Sequence, residues 1–413
     1  MNRNNQIAIT KILDDNVEKA VFEAFDLINA KELFLNKKLK VLIKPNVLIA
    51  KAPERAATTH PSVLKSIIKW LKQFNPEKII VGESSGTFKR GATESAFEIS
   101  GLKKVCEEEG VEWTPFEKTA LKTYKVINPL VLEEITASKL LEEVDIIINV
   151  PKIKTHHQCI LTCAIKNMFG TLILGNKMRT HAQFPSKERF NSALADIYSV
   201  SKPQLTVVDG YYCQEGNGPS AGDVVKMDII LAGYDPVALD TAVCHIIDFN
   251  PNDILYISKL QEKGLGTPDY KIVGEPIDTI KRKFKKSKTH PVSVPLPKFL
   301  AKYVGKTILR SDIKFNKNKC KLCSTCWNNC PAQAISPPKE LKQGEYVPKW
   351  HKSKCITCYC CAELCPYEAV EFKVNLIKNT FTSWLLLLFI ALLFGAAVLI
   401  WLIFQIFKNF SNF

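Results

Sequence analysis

A chain of 413 residues, 46% of them hydrophobic, is long enough for two or three domains with buried cores. Its formal net charge of +15 could indicate a nucleic-acid partner, but the basic residues concentrate in segments 281–288 and 302–321. No nucleic-acid-binding motif accompanies them, so we expect no nucleic acid among the partners. A basic collar facing anionic lipid and a solvated linker are the two alternatives for these segments.

The apolar pattern predicts helices alternating with short buried strands over residues 1–275. In chain order these are helix 16–34, strand 39–43, helix 62–74, strand 78–81, a helix from 92, a helix ending at 140–143, strand 144–150, helix 159–168, strand 205–208, strand 227–231 and helix 236–247. Continuous apolar strands between helices are typical of a parallel sheet that is covered on both faces. We therefore predict a doubly wound, mostly parallel α/β domain over residues 1–275.

Polar loops follow four of the predicted strands. In open parallel sheets, ligands bind beyond the carboxyl ends of the strands, so these loops should meet around one crevice. Lysines in them would make the crevice positive and suit a carboxylate, a phosphate or another anion. The loop from Gly82 to Gly86 matches no nucleotide-binding fingerprint. The candidate ligand-binding residues are Lys44, Asn46, Ser84, Ser85, Lys166, Asn167 and Asp209.

Three candidate catalytic residues, Lys152, Lys154 and His156, follow the clearest predicted strand. The lysines would hold an anionic substrate. His156 could donate or accept a proton, since an unperturbed histidine has a pKa of about 6.5. Two further candidates for that role are His60 and His181. His156, His157, Cys159 and Cys163 could instead form a metal site, because Cys159 and Cys163 would lie one turn apart on the predicted helix. Alternatively, these two cysteines are ordinary core residues.

Eight of the fourteen cysteines form two copies of the pattern C-x2-C-x2-C-x3-C-P. Thiolates are soft ligands that suit iron–sulfur clusters, and in such runs the fourth cysteine ligates the other cluster. The spacing therefore predicts two [4Fe–4S] clusters: one bound by Cys320, Cys323, Cys326 and Cys365, and one by Cys355, Cys358, Cys361 and Cys330. Two zinc sites or a disulfide scaffold are the alternatives, although zinc usually takes paired C-x2-C motifs. Cys360 is predicted to be no ligand.

The cysteine pattern resembles the bacterial-type dicluster ferredoxin at all eight cysteines and at both prolines that follow. The α/β half resembles the DUF362 family in a set of short motifs: Lys44-Pro45-Asn46, Thr59-His60-Pro61, residues 149–156, Lys166-Asn167 with Gly170, Asp209-Gly210, residues 215–219 and Asp235-Pro236. Members of that family are often described as iron–sulfur centre proteins and often carry this ferredoxin. The resemblance implies relatedness, with no established reaction.

The resemblance also implies a small α+β ferredoxin-like dicluster domain, which we place at residues 313–375 after a basic, proline-spaced linker at 276–312. Beyond it, residues 384–407 form an uncharged run of 24 residues. At 1.5 Å per residue such a helix spans roughly 36 Å, enough for a hydrocarbon core of about 30 Å. We therefore predict one C-terminal transmembrane helix, with the lipid bilayer as a partner. The main body should be cytoplasmic, because clusters and free thiols need a reducing compartment and no secretory signal is visible.

These features predict a membrane-anchored iron–sulfur protein that transfers electrons through two [4Fe–4S] clusters. An electron donor or acceptor protein would be its partner, and an anionic substrate or cofactor bound in the crevice would take the electrons, as in a ferredoxin-type oxidoreductase. Two alternatives remain open from the sequence. One is a non-catalytic electron-transfer or scaffold subunit of a membrane redox complex, and the other is a non-redox enzyme whose clusters serve structure alone.

Overall fold

The computed structural model describes residues 5–35, 38–87, 89–287 and 312–373, together with Gly395. The predicted transmembrane segment lies outside the described residues, apart from Gly395. Within the described ranges, no helix combines the length and the apolar character needed to cross a bilayer. The described residues between 5 and 287 form one compact unit with residues 315–370, and this unit contains both the α/β residues and the eight motif cysteines.

Helices and strands alternate through the α/β part of the chain. The strands are β1 (Gln6–Lys11), β2 (Lys40–Pro45), β3 (Lys78–Glu83), β4 (Glu112–Pro115), β5 (Leu121–Lys125), β6 (Glu134–Ser138), β7 (Ile146–Val150), β8 (Lys152–His156), β9 (Ile160–Thr162), β10 (Leu205–Glu215), β11 (Asp223–Gly233) and β12 (Lys271–Gly274). The α-helices are α1 (Val17–Leu27), α2 (Pro61–Lys72), α3 (Ala92–Ile99), α4 (Leu102–Glu108), α5 (Leu140–Glu143), α6 (Ala164–Asn167), α7 (Leu174–Gln183), α8 (Lys187–Ser201), α9 (Pro236–Ile246) and α10 (Leu255–Glu262).

The central sheet is mixed but mostly parallel, with strand order β12-β1-β11-β10-β7-β2-β3-β4. Strands β4, β3, β2, β7 and β10 are successively parallel neighbours, whereas β11 runs antiparallel to both β10 and β1. Strand β8 pairs with β10 beyond the end of β7, and β9 returns antiparallel to β8. A mixed α/β domain with a mostly parallel central sheet is therefore confirmed.

Two hydrophobic cores lie on opposite faces of this sheet because side chains alternate along each strand. In β2, Leu42 packs into one core, whereas Val41 and Ile43 pack into the other. Helices α6, α8, α9 and α10 contribute to the first core, and α1, α2, α3 and α4 contribute to the second. The predicted cover of helices on both faces is present, and it leaves the carboxyl ends of the strands accessible to loops.

The predicted helix at 159–168 is wrong in its first half. Ile160–Thr162 is strand β9, and the chain reaches it through a tight turn in which His156 Nδ1 accepts the backbone N–H groups of Gln158 and Cys159 at 3.0 and 3.1 Å. Helix α6 starts only at Ala164, whose N–H donates to the Asp240 carboxylate at 2.7 Å. The first predicted helix is also shorter, because Asn29 has a left-handed φ of 54° and follows the end of α1. Strand β1 was not predicted.

The cysteine-rich segment repeats its backbone as well as its sequence. Its strands are β13 (Asp312–Phe315), β14 (Ile335–Ser336), β15 (Lys349–Trp350) and β16 (Val370–Lys373), and its helices are α11 (Thr325–Asn328) and α12 (Cys360–Glu363). Left-handed φ angles recur at equivalent places in the two halves: Leu322 and Thr357, Ser324 and Tyr359, Gln333 and Glu368. Each short helix therefore starts after the same turn and carries a motif cysteine at its second position, Cys326 or Cys361.

Candidate functional site

The eight motif cysteines fall into two spatial groups, each of which combines three cysteines of one sequence repeat with the fourth cysteine of the other. Cys326 interacts electrostatically with Cys320, Cys323 and Cys365. Cys361 interacts with Cys330, Cys355 and Cys358, as well as with Cys326 of the first group. All fourteen cysteines are free thiols, so the eight do not form a disulfide scaffold. The fourth cysteine of each repeat thus lies with the first three of the other, as iron–sulfur ligation of this type requires.

The protein environment of these thiols suits a cluster. Burial, followed by the neighbouring thiols, raises the pKa of Cys326 to about 12, so its thiolate form needs the compensating charge of bound iron. Backbone N–H groups point at the sulfur atoms: Ala334 N lies 3.2 Å from Cys330 Sγ, and Ala369 N lies 3.3 Å from Cys365 Sγ. Such N–H···S bonds stabilise ligated sulfur and adjust the potential of a cluster.

A cavity of about 80 Å³ lies between the carboxyl ends of β2 and β3 and helix α12. A single buried water needs only about 10–15 Å³, so the cavity has room for a small molecule. Among the residues that line the cavity, five were predicted from the sequence as ligand contacts or catalytic groups: Asn46, Ser84, Lys154, Lys166 and Asn167. Helix α12 and the residue after it close the other side with Cys360, Glu363 and Leu364. Because Cys360 precedes the cluster ligand Cys361, the cavity lies beside the second cysteine group.

A chain of side-chain amides supports one wall of the cavity. Asn46 Nδ2 donates to Asn167 Oδ1 at 2.9 Å, and Asn167 Nδ2 donates to Asn149 Oδ1 at 2.7 Å. Lys154 Nζ donates to Asn46 Oδ1 and to the carbonyl of Ala57, both at 2.7 Å. Burial, with the charges of Lys166 and Lys152, lowers the pKa of Lys154 well below its ordinary value. Among the described residues no carboxylate forms an ion pair with Lys154, which therefore favours the neutral amine.

A buried ion pair supports the opposite wall. Lys44 Nζ contacts the carboxylate of Glu83, and both side chains are almost completely buried. Gly170 packs against this pair so closely that an added Cβ would lie 2.1 Å from Glu83 Oε1. Lys177 Nζ donates to the backbone carbonyls of Ser84 and Ser85, and burial lowers its pKa to about 8. The amines of Lys44 and Lys177 are thus held by protein acceptors.

Three polar atoms in the cavity wall are buried without a hydrogen-bond partner among the described residues: Thr162 Oγ1, His181 Nδ1 and Glu363 Oε1. Glu363 Oε1 does lie 3.2 Å from His156 Nε2, but not at a hydrogen-bonding angle. Buried polar groups in native proteins nearly always have partners, so these three atoms can be satisfied by water or by a molecule inside the cavity. Lys166, at the same cavity, has no ion pair among the described residues; its Nζ lies 5.6 Å from the Phe169 ring centroid.

Known families match both parts of the chain. Residues 41–245 match the family model described as a domain of unknown function, DUF362, and residues 319–369 match a 4Fe-4S dicluster domain. The chain contains a DUF362 domain and a 4Fe-4S dicluster domain. The predicted fusion and the two [4Fe–4S] clusters are thereby confirmed, and the dicluster domain indicates iron–sulfur electron transfer.

Similar proteins include the thylakoid-associated protein sll1697 of Synechocystis, which is 26% identical over 227 residues, or 55% of this chain and 68% of that protein. Among solved structures, the lactate racemase apoprotein from Thermoanaerobacterium thermosaccharolyticum has a TM-score of 0.36 at 16% identity, covering 57% of this chain and 55% of its own. A Thermotoga maritima protein has a TM-score of 0.33 at 15% identity, covering 61% and 58%. The chain thus spans little more than half the length of each of these two structures.

Several predicted site residues of the DUF362 domain lie outside the cavity wall. Lys152 Nζ forms an ion pair with Asp209 Oδ2 at 2.8 Å, and both side chains are fully buried. Asp209 also accepts the backbone N–H groups of His60 at 2.7 Å and Tyr211 at 3.0 Å. The remaining three, Lys44, Ser85 and His156, lie behind residues that line the cavity. Of the two further histidine candidates, His181 lines the cavity and His60 caps α2.

The residues of the alternative metal site have separate partners. His156 Nδ1 faces the turn at Gln158, and His157 Nδ1 lies 2.7 Å from Ser287 Oγ. Burial, followed by the charge and hydrogen bond of Asp240, raises the pKa of Cys163 well above its ordinary value. Within the described part of the chain, no group of three His, Cys, Asp or Glu side chains could hold a single metal ion.

Sequence reasoning missed Glu83, Thr162, Lys177 and Glu363 in the cavity wall. Glu83 lies in the loop that follows the predicted strand 78–81, so its position at the crevice edge could have revealed it. Thr162 was assigned to a helix, which hid the strand that points it inward. No local signal identifies Glu363, which stands between two cluster cysteines in a different domain and reaches the cavity only because the dicluster domain packs there.

Proposed function

We propose that this protein passes single electrons from a partner redox protein to a small anionic molecule bound in the cavity. The observation that carries the proposal is the position of helix α12, which supplies Cys360 and Glu363 to the cavity wall and Cys361 to the second cysteine group. Once bound, the two clusters would supply one-electron transfer at low potential. A molecule in the cavity would therefore lie next to the cluster held by Cys330, Cys355, Cys358 and Cys361.

The cavity residues would select and orient the molecule. Lys166 forms no ion pair with a carboxylate among the described residues, so its amine would attract a carboxylate or phosphate group of the molecule. Thr162 Oγ1 and His181 Nδ1 would supply the hydrogen bonds that they lack within the protein. The side chains of Leu48, Phe169 and Leu364 form an apolar wall that would exclude water from the reacting part of the molecule.

The other cysteine group would receive the electrons. Cys323 is exposed, whereas Cys358 and Cys361 are buried and Cys358 packs in a cluster with Ile49 of the DUF362 domain. Three exposed lysines, Lys317, Lys319 and Lys321, precede Cys323 in the sequence. A positive rim of this kind favours docking of an acidic electron-transfer protein. Residues 384–407 would anchor the protein in a bilayer with its main body cytoplasmic, so that the donor is met at the membrane surface.

The test is anaerobic and uses the full chain purified with its clusters. The clusters are reduced with dithionite, excess reductant is removed, and fractions of small molecules from cell extract are screened for reoxidation of the visible absorbance. We expect an anionic fraction to reoxidise the protein. With that fraction, Lys166→Gln should raise the half-saturating concentration by roughly 10- to 150-fold, because a lost charge-assisted contact is worth about 1.5–3 kcal/mol.

Lys125→Gln is the matched control, because Lys125 is an exposed lysine outside the cavity wall. It should leave the half-saturating concentration unchanged. The proposal is overturned if no small-molecule fraction reoxidises the reduced clusters, or if the two variants behave alike.

A further inference from the structure

Lys154 differs from the other buried lysines of the DUF362 domain. Lys44 and Lys152 each contact a buried carboxylate, Glu83 and Asp209. Lys154 is equally buried, but its two hydrogen bonds go to the neutral acceptors Asn46 Oδ1 and Ala57 O. A neutral amine has two N–H donors and one lone pair, so two acceptors satisfy its donors and leave the lone pair free. Lys154 also lines the cavity, where a bound molecule can reach it.

The surroundings of Lys154 favour a nucleophilic amine. Desolvation and neighbouring cations are the two devices that keep a catalytic lysine unprotonated, and both act here through burial and through Lys166 and Lys152. Two nearby carboxylates, Glu363 and Glu83, oppose this effect more weakly. Lys177 is held by two backbone carbonyls, but a carboxylate is the strongest charge acting on it. Lys154 is therefore the lysine of the cavity best suited to attack a carbonyl carbon.

We propose that Lys154 captures an aldehyde or ketone bearing a carboxylate, a 2-oxo acid or a close relative, as a reversible imine in the cavity. This deepens the proposed function and rests on its assignment of the cavity as a ligand site. The Nζ lone pair attacks the carbonyl carbon, and the C=O π electrons move to oxygen, which takes a proton. The nitrogen loses one proton, the new hydroxyl takes one from solvent and leaves as water, and a protonated C=N bond remains. No oxidant or reductant is needed.

Other cavity groups fit the needs of this step. Lys166 would pair with the carboxylate of the captured molecule. The unpartnered His181 Nδ1 and Thr162 Oγ1 would bind the carbonyl oxygen and relay its protons as water is lost. A protonated imine retains one N–H, which can still donate to Asn46 Oδ1 or to the Ala57 carbonyl, so only one of the two hydrogen bonds is lost.

The test traps the imine chemically. The full chain with its clusters is incubated anaerobically with pyruvate and sodium cyanoborohydride, and the sites of label are located by peptide mass spectrometry. We expect Lys154 to be labelled roughly 10-fold or more faster than any surface lysine, since an ordinary lysine with a pKa of about 10.4 is almost entirely protonated at neutral pH. Acetone, which has no carboxylate, should label Lys154 more slowly than pyruvate does.

Variants separate the proposal from incidental labelling. Lys154→Arg keeps a buried donor but cannot form an imine, and Lys125→Arg, at an exposed lysine outside the cavity wall, is the control. Label should disappear from the site in the first and persist on Lys154 in the second. Label on Lys177 in place of Lys154, or equal rates at Lys154 and surface lysines, would overturn the imine. Because trapping is measured without cluster reoxidation, this result is independent of the electron-transfer proposal.

Discussion

Lys51 and Glu368 are 317 residues apart in the chain, yet Lys51 Nζ lies 2.6 Å from Glu368 Oε1. The contact joins the DUF362 domain to the turn that follows Cys365, and Arg55 Nη2 contacts the same oxygen at 2.5 Å. Nearby, Ser220 Oγ donates to the backbone carbonyl of Glu363 at 2.6 Å. In addition to these polar bonds, Leu48 and Ile49 pack against Leu364 in an apolar contact. The cavity wall therefore depends on how the dicluster domain packs against the DUF362 domain.

Removing this contact should loosen the dicluster domain. In Glu368→Ala, the buried Lys51 ammonium loses its carboxylate, and we expect the free energy of unfolding to fall by about 1 kcal/mol, because Glu368 itself is only partly buried. Urea unfolding followed by cluster absorbance measures this loss. The control is Glu340→Ala, which removes an exposed pair with Lys342 within the same domain. Equal effects of the two variants would show that the Lys51–Glu368 contact does not hold the interface.

Breaking the buried ion pair between Lys152 and Asp209 should lower the free energy of unfolding. Asp209→Ala leaves an uncompensated ammonium in the core, so we expect a loss of about 3–5 kcal/mol in the free energy of unfolding. The double variant Lys152→Met with Asp209→Asn removes both charges and should recover much of that loss. Urea midpoints for the three proteins provide the comparison. A double variant no more stable than Asp209→Ala would mean that the charge is not the cause.

Because the fourth cysteine of each repeat is predicted to bind the cluster of the other repeat, single cysteine variants should lose a specific cluster. Cys365→Ala should remove the cluster held by Cys320, Cys323 and Cys326, and Cys330→Ala should remove the other. Each should lower the iron content from about eight to about four per chain, with one set of low-temperature EPR signals lost. Cys360→Ala is the control, and its iron content should stay unchanged. The assignment fails if the EPR signals lost in the Cys330 and Cys365 variants are the same.

His181 should make the protein sensitive to mild acid. Burial lowers its pKa to about 3, against an ordinary value of about 6.5, so the unfolded chain binds a proton that the folded chain excludes. The contribution of His181 to the free energy of unfolding is therefore largest above pH 6.5 and falls as the pH drops toward 3. Between pH 7.5 and 6 this histidine alone should cost about 0.8 kcal/mol.

The variant His181→Phe tests this dependence. His181 stacks on Phe190 with ring centroids 4.2 Å apart, and a phenyl ring can keep that packing without titrating. Urea unfolding at pH 7.5 and pH 6 should show a smaller stability difference in the variant by about 0.8 kcal/mol. Part of the dependence should remain, since burial also lowers the pKa of His157 to about 4. An unchanged difference would mean that His181 is protonated in the folded protein at pH 6.

The cluster ligands and the crevice loops could be read from the sequence for related reasons. A cysteine repeat encodes its chemistry within a few residues, because the spacing of thiols along a short loop determines which metals they can wrap. Parallel strands place their carboxyl ends at one edge of a sheet, so Asn46, Ser84 and Lys154 were expected near each other before any packing was known. Both inferences use local pattern and a general rule of topology.

Only the tertiary structure decided which of these residues face the cavity. Lys152 and Lys154 are two residues apart on β8, yet Lys152 reaches Asp209 from β10, whereas Lys154 reaches two neutral acceptors beside the cavity. Which lysine meets a carboxylate depends on strands that are distant in sequence, and so does the lowered pKa of Lys154. Helix α12 is likewise on the cavity only because the dicluster domain packs against Leu48 and Ile49. Long-range packing determines which side chains of this site are paired with charges and which helix closes the cavity. Neither property is encoded in a short stretch of residues.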